Sequence, residues 1–164
     1  MKQITHTAIG AMAAVLVLTG TVAARSTVTA QPPPAVAVKA AAKPIASVPI
    51  LLAARPGTAT DRIARQLMAH ELAQTRRMGE NPLVLTATAR LANSDVLFVQ
   101  IQSNRECGSG GCSTVSFKKT KGKWTRILDT VGGTIRVADS RHRGMPDLIV
   151  KDSERMVWDG ARYV

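Results

Sequence analysis

The sequence predicts an α+β domain, one N-terminal helix packed on a curled antiparallel sheet of about seven short strands, with a small β-barrel as the competing architecture. Three observations carry that expectation. Apolar residues between positions 58 and 79 recur at helical spacing. From residue 83 the pattern switches to a two-residue period rich in β-branched side chains. Turn signals separate the strand runs at short intervals.

The N-terminus reads as an export signal. Lys2 supplies a positive start, Ala8–Leu18 is an apolar run too short to span a membrane, and small residues follow with cleavage sites after Ala24 or Ala30. Residues 1–30 are therefore expected to be a signal peptide, which places the mature chain in the periplasm or outside the cell. No cysteine follows the apolar run and no arginine pair precedes it, so neither a lipid anchor nor export of a folded chain is expected. Residues 31–56 hold six of the eight prolines and no acid. They read as a Pro/Ala-rich linker, with Ile50–Leu52 packing onto a single domain at 57–164.

The helix is expected to start at Thr58, whose hydroxyl can cap it with Asp61 three residues on. Ile63, Ala64, Leu67, Met68 and Leu72 share one face, Arg62, Arg65 and Arg76 the other, and Gly79 with Asn81-Pro82 ends the element. Strands are expected at 83–90, 96–102, 113–119, 123–130, 134–138, 147–151, 156–158 and 162–164. Thr120-Lys121-Gly122, Gly132-Gly133 and Asp159-Gly160 mark turns between them. Residues 90–99 and 142–151 echo each other, each with a turn, an Asp and an apolar strand.

Cys107 and Cys112 are the two cysteines of the chain, separated by Gly-Ser-Gly-Gly. A structural zinc site would need two further ligands at close spacing, and His70 and His142 are isolated in sequence. A redox pair is more often Cys-x-x-Cys opening a helix, whereas strand formers follow here. In an exported chain two such cysteines are expected to pair with each other, a staple across a short loop.

The order "LANSDVLFVQIQSNRECGSGGCSTVSF", "KWTRI", "RHRGMPDLIV" and "VWDGARYV" resembles a set of small exported bacterial proteins of uncharacterised function. They share a Cys-Gly-x-Gly-Gly-Cys motif, a Gly-x-x-Asp-Leu strand and a closing Trp-x-Gly-x-x-Tyr-like stretch. The resemblance covers residues 90–164 and implies an exported, disulfide-bonded domain. The turn before the first strand often carries calcium ligands in that set. Here it keeps only Asn93 and Asp95, too few oxygens, so no metal and no cofactor are expected.

Candidate chemistry is sparse. Asp129, Asp139, Asp147, Asp152, Glu154 and Asp159 fall mostly at expected turns, where local hydrogen bonding favours aspartate. Ser140, His142 and Asp139 are too close in sequence to face one another as a triad, so the chain is not expected to be an enzyme. Charge says more. The chain carries +11 at neutral pH, and loss of Lys2 and Arg25 with the signal leaves it strongly basic. Lys118, Lys119, Lys121 and Lys123 crowd one hairpin with Trp124 and Arg126, and Arg141 and Arg143 form a second cluster. These eight residues are the expected ligand-binding set, and an anionic envelope component or an acidic partner protein is the expected partner. Too few aromatics are present for a nucleic-acid stacking platform, and no membrane span is expected after signal cleavage. Two other readings stand beside this one: a periplasmic inhibitor or immunity protein that plugs an enzyme with its stapled loop, and a hydrolase with an unrecognised site.

Overall fold

The computed structural model describes residues 46–164; the expected signal peptide and the first part of the expected linker lie outside the described residues. The expected fold class needs correction. Strand accounts for about half of the described residues and helix for two short segments, so the chain is mostly β. There is no single helix on a seven-strand sheet. Two four-stranded antiparallel sheets and a two-stranded ribbon take its place.

The inner sheet has the order β2-β3-β6-β7, with β2 Leu83–Leu91, β3 Ser94–Gln102, β6 Thr114–Thr120 and β7 Lys123–Val131. The outer sheet has the order β1-β8-β9-β10, with β1 Ser47–Pro49, β8 Ile135–His142, β9 Met145–Val150 and β10 Glu154–Met156. The ribbon pairs β4 Cys107–Gly108 with β5 Gly111–Cys112. β1 lies within the segment read as linker. It pairs with β8, and Ala53 bridges to Thr86, so residues 46–56 join the two sheets' edges.

The reason for two sheets is visible in the burial pattern. Val96, Leu97, Phe98 and Val99 are four consecutive buried residues on β3, and all six residues of β9 are buried. A strand with only one covered face alternates; a continuous apolar run needs cover on both. Val96, Phe98, Ile127 and Leu128 face Ile135, Leu148 and Val150 of the outer sheet. Leu97, Val99, Ile101, Val115 and Phe117 pack instead under Ala64, Met68 and Leu72 of the helices. Each such aliphatic or aromatic side chain contributes about 1.5–3 kcal/mol on burial, so these two layers dominate the fold.

The helical segment is two elements, α1 Ala59–Leu67 and α2 Ala69–Arg77. Thr58 caps α1 as its residue type suggests, accepting from the Asp61 N–H at 3.2 Å. The buried Asp61 carboxylate accepts from the Gly57 N–H and from Arg65. Met68 leaves helical values at φ −105° and ψ 21°, which separates α1 from α2.

Three hairpins turn on two residues with positive φ: Ala92-Asn93, Lys121-Gly122 and Arg143-Gly144. That is the tight turn whose twist matches the flanking strands. The sequence echo stops at the register. Asp95 is the second residue after its turn and exposed, while Asp147 is the third and fully buried. Strand directions place the turns at 92–93 and 121–122 at one end of the inner sheet. The ribbon and Gly132-Gly133 lie at the other.

Candidate functional site

The turn end of the inner sheet gathers most of the expected binding residues, though on two faces. Alternation along β6 sends Lys118 to the side of the outer sheet and Lys119 to the side of the helices. Lys118 Nζ sits 5.1 Å from the ring centroid of Trp158. Lys119 Nζ sits 5.7 Å from that of Trp124. Both distances are within the range of cation–π attraction. Lys121 occupies the turn and Lys123 the first position of β7, both exposed.

Trp158 is held in place from both sheets. Its ring meets Tyr163 edge to face at 5.3 Å. The Tyr163 N–H donates to the Ile127 carbonyl at 2.7 Å, and its hydroxyl donates to the Pro146 carbonyl at 2.8 Å. Burial, then the Asp147 charge, push the Tyr163 phenol above its ordinary pKa, so it stays a donor. Arg143 donates to the Asp159 carbonyl beside Trp158. The lysine hairpin and the arginine loop, separate in sequence, therefore meet at Trp158–Asp159. Asp159 itself caps its turn, accepting from the N–H groups of Ala161 and Arg162, which lower its pKa.

Arg126 does not belong with this group. It reaches Glu71 of α2 at 3.4 Å and Asp129 at 3.8 Å, and so ties the helices to β7. Arg141 is exposed with only a 3.5 Å contact to the Gly144 carbonyl. None of Lys118, Lys119, Lys121, Lys123, Arg141 and Arg143 pairs with a carboxylate among the described residues. Arg90, which sequence reasoning passed over, adds a further unpaired cation. With Thr88, Asp95, Lys119 and Trp124 it lines a groove of about 370 Å³ on the helix side.

A second polar cluster lies on the β8–β9 hairpin and was also missed. Asp147, expected near a turn, is 0 % exposed in the middle of β9. It accepts from the Ser140 hydroxyl and from His142 Nδ1, each at 2.6 Å, and Arg155 approaches at 3.4 Å. Burial alone would raise its pKa; the two hydrogen bonds and the charges of His142 and Arg155 outweigh it and hold the carboxyl below the ordinary range. Ser140 and His142 thus meet at Asp147 rather than at Asp139. The hydroxyl proton points at the carboxylate, not at the imidazole, and Ser140 Oγ also accepts from Arg155 at 2.9 Å. This set orients a hairpin; it does not activate a nucleophile. The signal in the sequence was one acid inside the apolar run Met145–Val150.

At the opposite end Cys107 and Cys112 form a disulfide across the directly paired positions of the ribbon. The glycines there do more than span the loop. A Cβ on Gly111 would stand 2.5 Å from the Gly133 nitrogen, and one on Gly132 would stand 2.6 Å from the Gly110 carbonyl oxygen. Two backbones touch, and only glycine lets them. Among the described residues no three His, Cys, Asp or Glu side chains gather as a metal site, and no helix is long and apolar enough to cross a membrane. Comparison with protein-family models, with curated proteins and with solved structures finds no match to this chain.

Proposed function

We propose that this protein is an exported, non-enzymatic binding domain that holds an anionic polymer of the cell envelope on the lysine-bearing end of its inner sheet. One observation carries the reading: the cations at that end face solvent without carboxylate partners, beside an indole ring. Ion pairs elsewhere in the molecule neutralise Arg65, Arg126 and Arg155. Lys121 and Lys123 leave a local excess of positive charge in solvent, the field that draws a polyanion. The disulfide suits an oxidising compartment. The engagement of Ser140 and His142 by one carboxylate supports a role without catalysis.

The test is retention of the full chain on purified sacculi and on lipopolysaccharide-coated resin at low and high salt. Retention should fall steeply with salt and should be lost when Lys118, Lys119, Lys121 and Lys123 are all changed to glutamine. Retention that ignores salt, or that survives the four changes, would sink the reading.

A further inference from the structure

The inner sheet ends at β2, and part of that edge is open. Leu91 and Ser94 flank a two-residue turn and face each other, so they exchange both backbone bonds. The odd-numbered residues of β2 therefore bond β3, and the even-numbered ones point outward. Ala53 satisfies Thr86 from outside, with bonds of 3.1 and 2.9 Å in the two directions. Beyond it, the N–H and C=O groups of Thr88 and Arg90 meet no partner among the described residues. The neighbouring edge, β1, offers less. Pro49 has no N–H to offer, and the Ser47 carbonyl accepts from Arg136 at 3.2 Å.

The two sides of the open stretch differ in chemistry. Along the edge itself runs a groove of about 420 Å³, apolar where Val48, Leu51, Ala87 and Ala89 line it on the outer-sheet side and polar where Arg55 and, from α1, Thr60 close it. On the helix side lies the smaller groove with Arg90 and Lys119, where Asp95 is the one acid. Thr88 and Ala89 border both grooves. A strand laid along this edge sends alternate side chains to alternate sides. The occupant that fits is therefore apolar at every second position and acidic between.

We propose that the Ala87–Leu91 stretch of β2 is a docking edge for an extended acidic segment of a partner polypeptide, which adds to the inner sheet as a further strand. Its main chain takes the four free backbone groups of Thr88 and Arg90. Its apolar side chains enter the groove beside Val48 and Leu51, and its carboxylates meet Arg90 and Lys119. Main-chain pairing of this kind supplies affinity, and the alternating pockets supply selectivity. A polysaccharide has no matching row of amides, so this surface is distinct from the polymer-holding end and shares only Arg90, Lys119 and Trp124 with it.

The probe is a labelled, end-blocked peptide about seven residues long, alternating valine and glutamate, set against the same peptide with lysine for glutamate. Added to the full chain, the glutamate peptide should bind and slow amide exchange at Thr88 and Arg90. The lysine peptide should bind at least about tenfold more weakly. Thr88→Pro removes one outward N–H without touching the β2–β3 ladder and should weaken the glutamate peptide at least about tenfold while leaving polymer retention unchanged. Arg90→Glu with Lys119→Glu leaves the backbone alone and should invert the preference between the peptides, which keeps the test sharp if the proline variant folds poorly. Equal binding of both peptides, or a Thr88→Pro variant that binds as tightly as the parent, would overturn the proposal. So would amides of Thr88 and Arg90 already protected in the free chain, since a second copy or the chain's own residues would then fill the edge.

Discussion

At one end of the inner sheet, Gly111 and Gly132 let two backbones touch beneath a disulfide; at the other, Lys121 and Lys123 stand in solvent around a two-residue turn. The first end is specified by what cannot be larger, the second by what has no partner. Close backbone approach leaves no tolerance for a side chain, so residues there serve the fold. Unpaired surface charge contributes almost nothing to stability, so residues there are free to serve binding. The β8–β9 hairpin stands between these extremes. Its Arg143 reaches the turn end, while Ser140 and His142 are anchored on buried Asp147.

Substitutions can break or sharpen this contrast. The largest effect is expected from Gly111→Ala. The new Cβ would meet the Gly133 nitrogen, and Gly111 also sits at φ +96°, so chemical denaturation should show a loss of about 3 kcal/mol. A near-neutral result would mean that the ribbon is not held against Gly132-Gly133 and that the first end is no more rigid than the second.

Asp147→Asn should cost about 2 kcal/mol, because the hydrogen bonds from His142 and Ser140 lose their charged acceptor. It should also flatten the acid limb of stability. The folded carboxyl has a lowered pKa, so its contribution is present above the ordinary carboxylate value and is lost as pH falls through the folded value, below about pH 4. Unfolding midpoints from pH 7 downward measure this, and Asp61, likewise lowered, should account for part of the slope that remains. An unchanged slope in the variant would refute the account of the Asp147 network.

Changing Cys107 and Cys112 together to serine should cost roughly 2 kcal/mol while the sheets persist, since the closed loop is short. That is about the contribution of one buried aliphatic side chain. Collapse of the fold would promote the staple from adjunct to requirement. The smallest effect is expected at the other end. Glutamine at Lys118, Lys119, Lys121 and Lys123 should leave stability within about 0.5 kcal/mol of the parent. Lys118 is the position most exposed to failure of this prediction, because its ammonium lies over the Trp158 ring.

Local features were legible in the sequence because local chemistry decides them. Thr58 caps its helix, Lys121-Gly122 turns its hairpin, and the two cysteines join. The layering was not legible. The period-two reading treated each strand as half exposed, whereas Val96–Val99 are covered on both faces by partners far along the chain, and all six residues of Met145–Val150 are buried. β1 was masked by prolines that suit an edge strand as well as a linker. Of the expected binding residues, the proximity of Trp124 to the lysines was legible from the hairpin pattern, but the engagement of Arg126 by Glu71 spans 55 positions and required the fold.

Tyr163 bonds Ile127 on one sheet and Pro146 on the other, and its ring closes over Trp158. A polypeptide threaded N-terminus first through a pore can pair its hairpins as they emerge, yet cannot seal both layers until that tyrosine has passed. Nested truncations tethered at their C-termini should gain protease resistance only once residue 163 clears the channel; resistance arriving before Trp158 emerges would contradict this.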